Sequence, residues 1–138
     1  MNTLLDRGVI ACNTVAPASG PYGPGFKVGL KGVDLLFISG QVSQDLNEVV
    51  VGRCDIVRQA EQVLTNLRSV VEAAGGGLRD VVKVTVYLKN MEDRDAVADV
   101  RRRFFGDHLP ASTLVQVCKL AHPDWLVEIE AIAMVQVD

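Results

Sequence analysis

LVEIEAIAMVQV, the stretch from Leu126 to Val137, decides the fold because it alternates in the manner of a half-buried β-strand. Its odd-numbered positions are apolar throughout and should pack under helices: Val127, Ile129, Ala131, Ala133, Val135 and Val137. Its even-numbered positions place Glu128 and Glu130 among leucine, isoleucine and methionine. Because this mixed face is neither core nor ordinary surface, we expect a second copy of the chain to cover it. Glu128 and Glu130 would then be partly buried carboxylates with raised pKa values.

The segment Val81–Leu88 predicts a second strand with the same two-sided character. One face should carry only apolar side chains, those of Val82, Val84, Val86 and Leu88. The other face should carry Val81, Lys83, Thr85 and Tyr87, and so repeats the mixture found beside Glu128.

Two amphipathic segments predict helices. The first runs from Asp55, a suitable N-cap, to Ala74, where three glycines end it. Its polar side is expected to face solvent and consists of Gln59, Gln62, Asn66 and Arg68. The second spans about Asp93 to Phe105. Its inward positions are expected at Val97, Val100 and Phe104, and Arg101–Arg103 are expected to be solvated.

Shorter signals complete the predicted topology. Phe26–Leu30 and Leu35–Ser39 should form a β-hairpin, Thr113–Cys118 should form a further strand, and the residues before Phe26 read as loop. The order ββαβαββ predicts an α+β fold with a mixed sheet and both helices on one face. The chain has 138 residues, the usual length of one domain, so we expect residues 1–138 to form a single domain.

Composition and charge exclude several classes of protein. The chain is 49% hydrophobic and 22% charged, which is typical of a globular protein. Its net charge of −3, without a long basic block, argues against nucleic acid as a partner. Asp6 and Arg7 interrupt the apolar N-terminus and no run suits a membrane span, so we expect a cytoplasmic protein without a membrane partner. The three cysteines and two histidines have no metal-ligand spacing, so no cofactor or metal is predicted.

A set of short motifs occurs along the chain in a specific order. They are Gly20-Pro21-Tyr22, FISGQ from Phe37 to Gln41, VVKVTVYLKNMED from Val81 to Asp93, Phe104-Phe105, Pro110-Ala111, and VEIEAIA from Val127 to Ala133. Together they resemble the Rid/YjgF family, also called endoribonuclease L-PSP. The resemblance implies a chorismate-mutase-like fold assembled as a homotrimer, with clefts for small molecules between subunits. In the deaminase members, these clefts hydrolyse reactive imines and enamines to keto acids and ammonia.

The resemblance also implies a set of site residues, with one departure. Glu128 matches the glutamate that orients the attacking water, Tyr22 the cleft tyrosine, and Gly40 and Leu114 cleft backbone positions. In the deaminases an arginine follows Pro-Ala and grips the substrate carboxylate, whereas this chain has Ser112 there. A serine hydroxyl offers one neutral hydrogen bond in place of a charge-assisted pair. Lys83 or an arginine of a neighbouring subunit could supply the missing cation.

Three functions remain open from the sequence. The first is an imine or enamine hydrolase that differs from a standard 2-imino acid deaminase, for which Trp125 would favour a flat substrate such as an aromatic catabolite. The second is a non-catalytic trimer that binds or senses a metabolite. The third is a ribonuclease, which would need an acid–base pair from His108 and His122 in an acidic protein.

Overall fold

The computed structural model describes residues 6–138, so the first five residues of the N-terminal stretch lie outside it. Its strands are β1 (Arg7–Val9), β2 (Gly25–Leu30), β3 (Val33–Val42), β4 (Val81–Leu88), β5 (Ala111–Gln116) and β6 (Val127–Gln136). Its helices are α1 (Ile56–Ala73) and α2 (Arg94–Phe105), and short 3₁₀ turns at Leu78–Asp80 and Met91–Asp93 precede β4 and α2. The sequence prediction misses β1, because three residues are too few to show an alternation.

The six strands form one sheet in the order β1-β2-β3-β6-β4-β5. Neighbouring strands are antiparallel except β4 and β5, which run parallel because α2 connects them. Helix α1 packs on β3 and β6 and also contacts α2, so both helices cover one face of the sheet. We refer to the other face as the open face. The predicted α+β class, mixed sheet and helix placement are confirmed, with β1 as an added edge strand.

Strands β6 and β4 confirm most of the predicted core, with corrections at Val137 and at the pair Val81 and Val82. Every odd-numbered residue from Val127 to Val135 is buried, but Val137 lies beyond the end of β6 and is 37% exposed. In β4 the pairing register shifts between Val81 and Lys83, so the alternation changes phase there. As a result Val81 is buried and Val82 is 42% exposed, the reverse of the prediction.

Helix α1 begins and ends as predicted, but two of its polar residues are not in solvent. The Asp55 side chain accepts a hydrogen bond from the Arg58 N–H at 3.1 Å and so caps the helix. Gln59 and Asn66 are buried, and both form hydrogen bonds to backbone groups. Gln59 donates to the carbonyls of Gly52 (3.1 Å) and Asp124 (2.8 Å) and accepts from the Leu126 N–H at 2.8 Å. A polar residue can therefore occupy the buried face, because all of these groups are satisfied.

Helix α2 buries Val97 and Val100 as predicted. At its C-terminal end Phe105 is buried, whereas Phe104 is partly buried against the core and lies under the Arg68 guanidinium at 5.2 Å. Among residues 6–138, no helix has the length and hydropathy needed to cross a bilayer. Strand β5 begins at Ala111, two residues earlier than predicted, and so includes both Ser112 and Leu114.

Candidate functional site

A β-bulge in β3 creates the first part of the site. Ile38 pairs with Ala131 and Gln41 with Ile129, so β3 carries one residue more than β6 between these pairs. The Glu128 side chain lies directly over Gly40 at this irregularity. A Cβ atom on residue 40 would lie 2.9 Å from the Glu128 Cδ and closer still to its Oε1. Glycine leaves this space free for the carboxylate, which any side chain at residue 40 would displace.

Glu128 lines a small pocket of about 80 Å³ together with Tyr22, Gly40 and Trp125. Burial in this pocket raises the pKa of Glu128, and the neighbouring charge of Glu130 raises the pKa further. This agrees with the raised pKa expected for Glu128 from the sequence. A carboxyl group with a raised pKa is better suited to accept and return a proton near neutral pH than an ordinary glutamate.

The loop that carries Tyr22 is attached to β3 through Ser39. The Ser39 hydroxyl donates to the Gly23 carbonyl at 2.7 Å, and its backbone N–H donates to the Pro24 carbonyl at 2.9 Å. The Tyr22 ring in turn lies over Gly20, where an added Cβ would come within 2.9 Å of it. These contacts place the half-exposed Tyr22 ring beside the Glu128 pocket.

A larger groove of about 580 Å³ adjoins this pocket on the open face. Tyr22 and Ser39 border both cavities. The groove is lined mainly by apolar side chains, including Phe26 and Phe37, which are 41% and 44% exposed. Such a concentration of exposed aromatic side chains on one face is typical of an interface or a ligand site.

Polar groups on β4, β5 and β6 continue the open face beside Glu128. Tyr87 lies opposite Glu128 in the β4–β6 register, and its hydroxyl donates to Glu130 Oε1 at 2.6 Å. This hydrogen bond, together with burial, raises the pKa of Tyr87. Lys83 donates from Nζ to Thr113 Oγ1 at 2.7 Å, so its charge is directed toward the edge strand β5.

Ser112 and Leu114 lie in a second, separate pocket of about 510 Å³ at the β5 edge. Strand β4 stands between β5 and β6, so one chain does not bring these residues into the pocket of Tyr22, Gly40 and Glu128. Arg94 and Arg101 of α2 line the same pocket. The Arg101 guanidinium donates from Nη2 to Ser112 Oγ at 2.8 Å.

The sequence prediction misses Arg101, which it assigns to a solvated basic run. Arg101 is half-buried, and that burial is the main cause that lowers its pKa, followed by the charge of Arg102. The helical spacing could have indicated this burial, since Arg101 follows the buried Val97 by four residues and therefore lies beside the buried face of α2. Within residues 6–138, no cluster of three or more His, Cys, Asp or Glu side chains is placed to hold a metal ion.

Comparison with known proteins places the chain in a family. The endoribonuclease L-PSP family model matches residues 13–135. A RutC family protein of Pyrococcus horikoshii is 44% identical over 92% of this chain and 97% of its own. The 2-iminobutanoate/2-iminopropanoate deaminase of Salmonella typhimurium is 37% identical over 91% of this chain and 95% of its own.

A solved structure agrees with this assignment. The crystal structure of Escherichia coli TdcF with bound serine superposes with a TM-score of 0.82 at 32% identity, covering 94% of this chain and 99% of TdcF. The fold and the family resemblance predicted from the motifs are thus confirmed. The chain belongs to the endoribonuclease L-PSP family, which is the Rid/YjgF family.

Proposed function

We propose that this protein is a homotrimeric hydrolase of the deaminase type, which acts on small imines or enamines in clefts between its subunits. The observation that carries the proposal is the Glu128 carboxyl, half-buried over Gly40 in a small pocket that shares Tyr22 with the larger groove of the open face. The deaminase name of a 37% identical relative and the serine bound to TdcF support a small amino-acid-derived ligand.

The proposed reaction needs one group that moves protons. The Glu128 carboxylate accepts a proton from a water molecule as the water oxygen bonds to the carbon of the C=N group. The π electrons of C=N move to nitrogen, which takes this proton from Glu128 to give a carbinolamine. Glu128 then accepts the proton of the carbinolamine hydroxyl and transfers it to the nitrogen, so the C–N bond breaks, ammonia leaves and the hydroxyl becomes a carbonyl. Water and imine are thereby converted to a carbonyl compound and ammonia.

Exposed apolar side chains on the open face support the proposed assembly. Phe26, Phe37 and Met134 lie on this face and are each more than 40% exposed in the single chain. Covering them with a second copy would remove a large apolar surface from water. Assembly would also allow the Ser112 pocket of one subunit to meet the Glu128 pocket of the next, so that each cleft draws on two chains.

The test is turnover of 2-iminobutanoate, generated in place by an amino-acid oxidase and competed with semicarbazide as a trap. If Glu128 activates the water, Glu128→Gln should lower kcat/KM by about 10²-fold or more. Glu72→Gln is the control, because Glu72 is an exposed carboxylate of α1 outside both site pockets. Equal activity of Glu128→Gln and wild type would refute the assignment of Glu128.

The alternative is a trimer that binds a metabolite without converting it. Ser112 favours this function, because it cannot grip a carboxylate as the guanidinium of the deaminases does. The expected result would be a higher Tm in the presence of a ligand, with no product formed. The ribonuclease function has less support: His108 binds the Val81 carbonyl and His122 packs against Trp125, so the two rings serve different parts of the chain.

A further inference from the structure

Three consecutive arginines of α2 have different partners. Arg102 forms an ion pair with Asp99 at 2.7 Å, and Arg103 forms one with Glu61 at 2.7 Å. Arg101 instead donates to the neutral hydroxyl of Ser112. Within residues 6–138 no carboxylate oxygen lies within 4.0 Å of its guanidinium nitrogens. Among the described residues Arg101 thus has no counter-charge, although it is the most buried of the three.

A half-buried guanidinium without a counter-charge is an unfavourable arrangement. It has lost part of its hydration, and Ser112 satisfies only one of its five N–H groups. Burial also lowers the pKa of Arg101, but an arginine remains protonated in proteins. An anion that enters the pocket would therefore relieve this cost, and a planar carboxylate would match the guanidinium with two parallel hydrogen bonds.

The pocket beside Arg101 has room and the right lining for such an anion. It measures about 510 Å³ and combines the two cations Arg94 and Arg101 with Met91, Ala98 and Leu114. Arg94 lies two helical turns before Arg101, so both side chains project from the same face of α2. The lining contains no acidic side chain. Its apolar part suits a short alkyl group attached to the anionic end of a ligand.

We propose that Arg101, held in place by Ser112, binds the carboxylate of a small imine or keto acid. Arg101 thereby supplies from α2 the guanidinium that residue 112 does not supply from β5. Arg94 attracts the same carboxylate at longer range. This site would select imines that carry a carboxylate and a short alkyl chain. The role in turnover rests on the proposed function, whereas binding of the anion does not.

The test combines direct binding with kinetics. Binding of 2-oxobutanoate, the keto acid formed from 2-iminobutanoate, is measured by calorimetry, and turnover of 2-iminobutanoate by the trapping assay. Replacing a charge-assisted pair should raise both Kd and KM of Arg101→Gln roughly ten- to a hundred-fold, with a smaller change in kcat. Arg101→Lys, which keeps the charge but loses the fork, should lie between Arg101→Gln and wild type.

Two further variants control for charge and for folding. Arg102→Gln removes the same charge one residue away, from a guanidinium paired with Asp99, and should leave Kd within about twofold. Introducing Ser112→Arg into Arg101→Gln should restore binding, which a merely misfolded variant would not do. Circular dichroism melting confirms that each variant is folded.

The outcomes separate the two proposals. If wild type binds 2-oxobutanoate and Arg101→Gln does not, but neither turns over the imine, the anion site stands and the proposed hydrolase function fails. If wild type turns over the imine and Arg101→Gln has the same KM and Kd, the function stands and the anion site fails. Failure of wild type to bind 2-oxobutanoate would also overturn the anion site.

Discussion

Replacing Gly40 with alanine tests whether activity depends on the position of the Glu128 carboxyl group, separately from the stability of the fold. The new Cβ would lie 2.9 Å from the Glu128 Cδ and 3.1 Å from its Cγ. Carbon atoms in ordinary contact are separated by about 3.5–4.0 Å, so the carboxyl group must move by about 1 Å or rotate away. Because Gly40 does not have a positive φ angle, alanine causes no backbone strain there.

A displacement of about 1 Å at a group that positions water can cost about 10²-fold in rate. We therefore expect Gly40→Ala to lower kcat for imine hydrolysis by about 10²-fold. The free energy of unfolding should fall by less than about 1 kcal/mol, because the far end of a side chain can rotate without opening a cavity. Activity is measured by the semicarbazide trapping assay and stability by urea unfolding.

Gly77→Ala is the matched control, because a Cβ at Gly77 would meet nothing within 4 Å and its φ is −153°. It should change neither activity nor stability appreciably. Full activity of Gly40→Ala would refute the reasoning, since the carboxylate would then work equally well from another position. A large loss of stability with the rate per folded molecule unchanged would also refute it.

Three further predictions follow from burial and charge. Because the pKa of Glu128 is raised in the folded state, ionisation of Glu128 at neutral pH destabilises the fold. Glu128→Gln should therefore stabilise the protein at neutral pH, and this gain should disappear as the pH falls below the ordinary value of 4.5. Urea unfolding at several pH values measures both effects. Phe37→Glu would bury an unpaired charge if the open face is an interface, so this variant should be a 14.9 kDa monomer in native mass spectrometry. Leu109→Glu is the control, because Leu109 is 87% exposed and lies outside the groove, and it should leave the oligomer intact. Gln59→Leu leaves three partly buried backbone groups without their side-chain partner and should lower the free energy of unfolding by about 3 kcal/mol or more. Gln62→Leu is the comparison and should lower it by no more than about 1 kcal/mol.

Much of the fold could be predicted because its signals are local. The alternation of β6 and the three- and four-residue steps of α1 report which side of each element is apolar. The cap at Asp55 and the glycines after Ala74 mark the ends of α1 within a few residues of sequence. The motif resemblance, read from the sequence alone, predicts Tyr22, Gly40, Ser112, Leu114 and Glu128 as site residues.

The tertiary structure alone decided which of these residues meet and what surrounds them. It divides them between two pockets of one chain, because β4 separates β6 from β5. It reverses the roles of Val81 and Val82 through a bulge, and it buries Gln59 by supplying three backbone partners. Periodicity cannot report either event, because both depend on the register and loops of distant segments.

Arg101 shows the same limit at the site itself. The sequence by itself establishes that residue 112 is a serine and that three arginines occur in a row on one helix. Only the packing of α2 beside β5 brings the first of them to the Ser112 hydroxyl while its two neighbours pair with carboxylates. Local spacing determines the face of a helix on which a charge lies, but the partner of that charge depends on which element the face meets.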